Sequence, residues 1–382
     1  MKRSIRRIAA AVLATAAPIG ATALAAPAAQ ASAISAAEQA HGAAPATLTF
    51  GQPTPGIEGK DRWRGRLEEF RKAGFDNVQE VWAHSPAMNR DIPLVVIQPK
   101  KPELRDNAPT LYLLNGADGG EGRANWINQT DVVQYYGGND NPAAGEVSDG
   151  IGANIVMPMA GAFSYYSDWI QDAPSLGGKQ AWETFMTKEL PQAIEPALKA
   201  NGNRAIAGMS MSATSSLLYA EHNPGTYDAV GSFSGCAATT TGLAPSFVEL
   251  TLNRGGATPA QMWGGPNTDT ARYNDALLNA EKLRGQPNIY VSNGTGIAGE
   301  YDWPTSPRIN GNLSASGQVI VEGGVIEAGT NTCTHDLANR TNSLGIPVTY
   351  NFRPLGTHQW GYWQQDLRSF QPVLMAGLHP AK

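Results

Sequence analysis

A serine-containing turn between a predicted strand and a predicted helix constrains this chain more than any other feature. Residues 204–207 form a short apolar run of strand character, and residues 212–222 have the Ser, Ala and Leu content of a helix. Between them the sequence reads G-x-S-x-S, with Ser210 at its centre. A strand, a sharp turn and a helix form the context of a nucleophile elbow, in which the serine hydroxyl is exposed beside the helix N-terminus.

The motif departs from the usual G-x-S-x-G pattern because Ser212 replaces the second glycine. That glycine normally lets the helix and strand approach closely, so Ser212 is a small but not minimal substitute. A serine in such a turn can also be a turn residue or a helix N-cap. The interpretation of Ser210 as a nucleophile therefore depends on the rest of the chain.

The N-terminus has the composition of an export signal. Basic residues at positions 2–7 precede an Ala- and Leu-rich stretch at 8–24, and Ala31-Ser32-Ala33 follows as a small-x-small cleavage site. The apolar stretch is interrupted by Pro18 and is short for a membrane anchor, which is the alternative interpretation. We predict a signal peptide at 1–33, a mature chain from near Ile34 outside the cytoplasm, and no transmembrane span after cleavage.

The remaining chain is typical of one large α/β domain. Residues 34–78 read as a loose leader with a short charged helix at 59–73, and strand-like and helix-like segments alternate over 79–382. Continuous apolar runs at 110–114 and 151–158 indicate strands buried on both faces. With the elbow, they predict an α/β-hydrolase fold with a mostly parallel central sheet flanked by helices. Helices are predicted at 125–136, 182–200 and 325–344, and a cap or lid segment at 247–265.

A glycine-rich loop follows the first buried strand at residues 115–122. It lacks the Lys-Ser/Thr of a phosphate-binding P-loop. In an α/β-hydrolase this loop supplies one oxyanion-hole N–H and the residue after the nucleophile supplies the other. Ala117 and Met211 are therefore the candidate oxyanion-hole donors.

A nucleophilic serine needs a histidine base and a carboxylate that orients it, in the chain order Ser, acid, His. Among the histidines after the elbow, only His358 falls in a loop after the last predicted strand. Asp302, Glu322 and Glu327 all lie between the preceding strand and His358, and spacing does not choose among them. The sequence has no metal or cofactor motif, so we expect neither. The formal net charge of −5 gives no electrostatic footprint for nucleic acid, so we expect no nucleic-acid partner.

Several segments together resemble the antigen 85 mycolyltransferases of mycobacteria and their corynebacterial relatives. The resemblance extends from about residue 81 to 367, and the matching segments are S-P-A-M-N-R-D-I at 85–92, F-S-Y-Y-S-D-W at 163–169, G-M-S-M at 208–211, M-W-G at 262–264 and G-T-H-Q-W at 356–360. It implies an exported acyltransferase with an α/β-hydrolase fold. The implied reaction moves mycolyl groups between trehalose esters or onto cell-wall arabinan.

The resemblance also implies roles for individual residues. Ser210 matches the nucleophile and His358 the base, and the elbow of the family likewise lacks the second glycine. Counting back from His358 favours Glu327 as the acid, with Glu322 as the fallback. Ala117 and Met211 match the oxyanion-hole amides.

Substrate contacts are implied less directly. Ser167 and Trp360 match positions beside the trehalose pocket. Asn115 and Asp118 stand where the mycobacterial enzymes carry a carboxylate and an arginine that contact the sugar, so we expect them at the substrate but with altered chemistry. Cys236 and Cys333 resemble a corynebacterial pair, and an exported chain favours a disulfide between them.

The implied partners are a trehalose mono-ester or another mycolic-acid glycolipid and a cell-wall polysaccharide. Two alternatives remain open. A secreted carboxylesterase would use the same triad with water as acceptor. A cell-wall or host-matrix binding protein would carry the site as a vestige.

Overall fold

The structure is a computed structural model that describes residues 43–51, 62–145 and 147–380. The predicted signal peptide, its cleavage site and Ile34 lie outside the described residues. The described chain contains nine strands: β1 Thr47–Phe50, β2 Val78–Ser85, β3 Arg90–Ile97, β4 Thr110–Leu113, β5 Asn154–Pro158, β6 Arg204–Met209, β7 Ala229–Phe233, β8 Ile289–Gly294 and β9 Thr349–Arg353.

All nine strands form one sheet in the order β1-β2-β3-β5-β4-β6-β7-β8-β9. The first three strands pair antiparallel, as β3 does with β5. From β5 to β9 every neighbouring pair is parallel. The predicted mostly parallel sheet is confirmed, and its parallel strands end at one shared edge, where open α/β sheets place their sites.

Helices connect and cover the strands. Their bounds are α1 Arg62–Lys72, α2 Trp126–Gln129, α3 Val132–Tyr135, α4 Trp182–Thr184, α5 Leu190–Ala197, α6 Met211–His222, α7 Ala244–Arg254, α8 Pro259–Trp263, α9 Asp269–Tyr273, α10 Leu313–Gln318, α11 Gly324–Leu344 and α12 Trp360–Leu378. Within the described residues, none of the helices has both the length and the apolar character that a membrane crossing requires.

The core has two apolar layers, one on each face of the sheet. In β5, Val156 packs into one layer with α5 and α6, whereas Ile155 and Met157 pack into the other with α1 and α12. Successive strand side chains point to opposite faces. Because both faces are covered, the central strands read as continuous apolar runs.

Two predictions for the N-terminal region need correction. The predicted loose leader contains β1, which pairs antiparallel with β2, and Trp63 of α1 is fully buried. The folded domain therefore begins before the predicted boundary at residue 79. The sequence did not predict β1, because this short edge strand has mostly exposed side chains and no apolar run.

Two predicted helices are also interrupted. The helix expected at 125–136 divides into α2 and α3, because α2 ends before Thr130. The Thr130 hydroxyl donates to the carbonyl of Trp126 and accepts from the N–H of Val132. The helix expected at 182–200 contains a π-helical turn, Phe185–Glu189, between α4 and α5. The helix at 325–344 is confirmed as α11.

Candidate active site

Ser210 lies at the tip of a sharp turn between β6 and α6. Its φ of 56° and ψ of −121° place it in a region that non-glycine residues rarely occupy, as expected of a strained elbow. Gly208 makes the turn possible, because an added Cβ would lie 2.3 Å from the carbonyl oxygen of Ser212. The Ser212 hydroxyl accepts a hydrogen bond from the Met209 N–H at 3.0 Å, so it closes the turn in place of the second glycine.

His358 reaches Ser210 from the loop between β9 and α12. Its Nε2 is 2.8 Å from the Ser210 Oγ. The backbone N–H of His358 donates to the carbonyl of Gly323 at 3.1 Å, which ties this loop to the start of α11. The imidazole also packs edge-on against Trp363, with ring centroids 4.9 Å apart. These contacts fix the ring in the orientation that a general base for Ser210 requires.

Glu327 is the carboxylate that contacts His358. Its Oε2 is 2.8 Å from the His358 Nδ1, and its side chain is fully buried. Its Oε1 accepts hydrogen bonds from the Ser234 Oγ at 2.8 Å and from the Gly294 N–H at 2.6 Å. Three protein donors therefore hold an otherwise costly buried carboxylate in place.

The other two candidate acids lie elsewhere. Glu322 is exposed on a π-helical turn, where it accepts a hydrogen bond from Gln318. Asp302 is buried beside the His358 loop and accepts hydrogen bonds from Thr357 at 2.6 Å and from Gln359 at 3.0 Å. Asp302 thus anchors the residues on both sides of His358 without contacting the imidazole.

An arginine behind Glu327 was missed by sequence reasoning. Arg353, at the end of β9, places its Nη2 3.4 Å from the Glu327 Oε1 and also forms an ion pair with buried Asp366. Burial opposes its charge, but Asp366 and Glu327 outweigh burial and raise the pKa of Arg353. Burial raises the pKa of Asp366, against the opposing effect of Arg353. Nothing in the local sequence distinguishes Arg353, because strand pairing brings it to the acid.

Met211 follows Ser210 directly, and Ala117 follows Gly116, where an added Cβ would lie 3.6 Å from the Ser210 Cβ. Their roles as oxyanion-hole donors stay predictions. Met211 is the first residue of α6, so its N–H lies at the positive end of that helix. Ala117 lies in the loop after β4, and its carbonyl accepts a hydrogen bond from the Phe163 N–H at 2.7 Å. The same 163–166 loop contacts Met211, whose sulfur lies 3.3 Å from the Tyr165 N–H. One loop therefore contacts both residues.

Two predicted substrate contacts are buried. Asn115 is fully buried, and its amide donates to the Pro158 carbonyl and accepts from the Trp126 N–H. Ser167 is 2 % exposed and accepts a hydrogen bond from the Trp263 indole at 3.2 Å. Both expectations are corrected, because these buried side chains form hydrogen bonds within the protein instead of facing a substrate.

The other two predicted substrate contacts can be reached from solvent. Asp118 is 38 % exposed, and its Oδ1 lies 3.7 Å from the Arg254 Nη2. Trp360 is half-buried and packs edge-on against Trp126 and Trp363. Their roles at the substrate stay predictions.

The predicted disulfide is confirmed. Cys236 and Cys333 are bonded and link the loop after β7 to α11. Cys236 lies two residues after Ser234, and Cys333 lies six residues after Glu327. The bond therefore ties together the two segments that meet at the Ser234–Glu327 hydrogen bond.

The sheet, the elbow and the order of the strands define an α/β-hydrolase fold. A family model described as a putative esterase matches residues 85–374. Solved structures share the fold: MPT51 (FbpC1) of Mycobacterium tuberculosis has a TM-score of 0.60 at 21% identity, covering 79% of this chain and 99% of its own. An S-formylglutathione hydrolase from Agrobacterium tumefaciens has a TM-score of 0.54 at 14% identity, covering 79% and 96%.

Relatives with higher sequence identity show which family of α/β-hydrolase proteins this chain belongs to. The diacylglycerol acyltransferase/mycolyltransferase Ag85A of Mycobacterium leprae is 31% identical over 318 residues, which cover 80% of this chain and 85% of the relative. Ag85A of Mycobacterium tuberculosis (strain ATCC 25618 / H37Rv) is 31% identical over 319 residues, covering 81% and 83%. The chain belongs to the antigen 85 acyltransferase family.

Proposed function

We propose that this protein is an exported serine acyltransferase that moves mycolyl groups from trehalose esters to a sugar hydroxyl. The proposal rests on the hydrogen bonds of His358, whose Nε2 is 2.8 Å from the Ser210 Oγ and whose Nδ1 is 2.8 Å from the Glu327 Oε2. The membership in the antigen 85 family supports acyl transfer as the reaction class. The predicted signal peptide supports export.

In the first half-reaction, His358 Nε2 accepts the proton of the Ser210 hydroxyl as Oγ attacks the ester carbonyl carbon. Glu327 stabilises the imidazolium that forms. The N–H groups of Ala117 and Met211 donate to the developing oxyanion, and each such donor contributes about 3 kcal/mol in comparable sites. The ester C–O bond then breaks, and the leaving sugar oxygen takes the proton from His358.

In the second half-reaction, a sugar hydroxyl gives its proton to His358 and attacks the Ser210 ester. The bond between the acyl carbon and Ser210 breaks, and Oγ recovers the proton from the imidazolium. Water could attack the same ester, so transfer requires that the acceptor sugar be held in place at the edge of the sheet.

The test is an acyl-transfer assay with purified mature protein, a trehalose mono-ester as donor and labelled trehalose as acceptor. We expect labelled ester with the wild-type chain, and a loss of at least about 10³-fold in Ser210→Ala, as removal of a triad nucleophile causes. We also expect a fluorophosphonate probe to label Ser210 in the same preparation. Transfer that persists in Ser210→Ala would contradict the proposal, and failure to label would favour the vestigial-site alternative.

Hydrolysis by the same residues is the second candidate function. It is favoured by the burial of Asn115, which withdraws one of the predicted sugar contacts from the site. A carboxylesterase would release the same amount of fatty acid with and without added trehalose. An acyltransferase would release less fatty acid as trehalose is added, because sugar and water compete for the acyl-enzyme.

A further inference from the structure

A buried ion pair lies beside the Glu327 carboxylate, at the oxygen that does not contact His358. Arg353, the last residue of β9, has a side chain that is 10 % exposed, and Asp366 of α12 is fully buried. The Arg353 Nη1 bonds the Asp366 Oδ1, and the Arg353 Nη2 lies 3.4 Å from the Glu327 Oε1. The guanidinium is therefore shared between two carboxylates, of which Glu327 contacts the imidazole.

Glu327 has closer partners than Arg353. Its Oε1 accepts hydrogen bonds from the Ser234 Oγ at 2.8 Å and from the Gly294 N–H at 2.6 Å. These two donors are neutral, so what Arg353 adds at this oxygen is a positive charge. A buried ion pair is a weak source of stability, because removing both charges from water costs about as much as their attraction returns. A function that depends on charge is the better explanation of the pair.

The two tyrosines that face the ion pair are uncharged. The Tyr290 hydroxyl lies 3.5 Å from the Asp366 Oδ1, and burial and then Asp366 raise the pKa of Tyr290 well above its usual range. The Arg353 Cζ lies 5.7 Å from the centre of the Tyr362 ring, and burial and then Asp302 raise the pKa of Tyr362 in the same way. Both phenols therefore keep their protons and add no charge to the pair.

Two further carboxylates lie near the loop of His358, and neither contacts the imidazole. Asp302 is held by the residues on both sides of His358. Glu322 is exposed, so water and salt screen its charge. The other ring contacts of the imidazole are with two uncharged side chains, Ser210 and Trp363. Arg353 is therefore the cation in contact with the acid of the catalytic series.

The position of this cation affects the proton that His358 accepts from Ser210. When the imidazole becomes positive, the charge of Arg353 repels it, and burial leaves this repulsion little screened. Asp366 lies on the far side of the guanidinium and offsets part of the repulsion. The two charges of the pair therefore act on the imidazole in opposite directions.

We propose that the Arg353–Asp366 ion pair sets the pH range in which His358 acts as a base. Arg353 weakens proton binding by the His358–Glu327 pair, and Asp366 restores part of it. Both are positioning residues, because they act through Glu327. The inference rests on the proposed function, since it concerns the base of the same site, but it holds whichever acceptor takes the acyl group.

The experiment measures kcat/KM against pH with p-nitrophenyl butyrate, an ester that acylates Ser210 without a sugar acceptor. The acidic limb of this profile reports protonation of the base in the free enzyme. In Arg353→Met we expect the midpoint of that limb to rise by about one pH unit, the effect of one charge so close to a titrating pair. Below the midpoint, kcat/KM then falls about tenfold.

Three further variants separate charge from structure. Asp366→Asn shifts the midpoint to lower pH by a smaller amount, because Arg353 lies between Asp366 and Glu327. Arg353→Lys keeps the cation and the wild-type midpoint. The double variant Arg353→Met, Asp366→Asn leaves no unpaired buried charge, and its midpoint rises by less than that of Arg353→Met.

The matched control is Arg204→Met. Arg204 forms a partly buried ion pair with Glu195 at the amino end of β6. It lies six residues along the strand from Ser210, or about 20 Å, so its charge is too distant to act on the imidazole. We expect this variant to lose stability and to keep the wild-type midpoint.

A purely structural role would lower kcat/KM equally at every pH. A folded Arg353→Met chain with the wild-type midpoint would therefore overturn the inference, and so would a rise of the midpoint in Asp366→Asn. If the midpoints move as expected but no labelled trehalose ester forms, the inference holds and transfer to trehalose is refuted. If transfer depends on Ser210 but the midpoints do not move, the proposed function stands and the inference is wrong.

Discussion

Replacing Glu327 by Gln tests the reasoning about the catalytic geometry most directly. The Glu327 carboxylate accepts hydrogen bonds through Oε1 from Ser234 and Gly294 and contacts the His358 Nδ1 through Oε2. Gln has one acceptor oxygen and one NH2 group. Whichever way the amide is oriented, its NH2 group faces a donor, either the Gly294 N–H or the His358 Nδ1–H. In both orientations the imidazole also loses its anionic partner.

The distances give the size of the effect. A full charge on His358 at 2.8 Å from the Glu327 Oε2 interacts with about 6 kcal/mol at an effective dielectric constant of about 20. Arg353, 3.4 Å from the other carboxylate oxygen, already neutralises part of that charge. We therefore expect Glu327→Gln to lower kcat by about 10³-fold, or about 4 kcal/mol in the activation free energy.

The assay compares kcat for acyl transfer in Glu327→Gln and Glu322→Gln, with circular dichroism to verify folding. Glu322 is an exposed glutamate five residues away on the same helical segment, and we expect its variant to retain wild-type kcat. A kcat for Glu327→Gln within tenfold of wild type would refute the reasoning. So would a larger loss in Glu322→Gln.

Two further predictions concern stability. The two bonded cysteines are 97 residues apart in sequence, so we expect replacement of both Cys236 and Cys333 by Ala to lower the free energy of unfolding by about 4–5 kcal/mol. Urea unfolding measures this free energy, and a change below about 1 kcal/mol would contradict the prediction. Glu221 in α6 is 2 % exposed, and neither of its carboxylate oxygens has a hydrogen-bond partner in the described part of the chain. Burial raises the pKa of this carboxyl group well above the usual range, and the positive charge of Lys282 lowers it by a smaller amount. The folded chain then binds a proton that the unfolded chain has released, so stability falls as pH rises above the ordinary glutamate pKa of about 4.3, by up to about 1.4 kcal/mol per pH unit, until the buried carboxyl ionises. Glu221→Gln removes that component, and an unchanged pH slope in urea unfolding would count against it.

The sequence predicted the parts of the site that follow from local order along the chain. Strands, turns and helices alternate, and parallel strands end at one edge, so Ser210, Ala117 and the loop of His358 had to meet there. These residues could be named because each one follows a recognisable strand. The predicted disulfide depended instead on the family resemblance and on the predicted export, since disulfides form in exported chains.

The sequence did not predict the contacts that stabilise Glu327. Ser234, Gly294 and Arg353 belong to three different strands or strand ends, and no spacing relates them to one another. Burial of Asn115 was missed for the same reason, since its partners at Pro158 and Trp126 lie in segments that only the folded sheet brings together.

The sequence by itself therefore determined the sheet type, the elbow and the order of nucleophile and base, because these depend on apolar patterning and short turns. The tertiary structure decided which of three carboxylates contacts His358. A buried carboxylate is stable only where several donors converge on it, and such convergence depends on segments far apart in the chain.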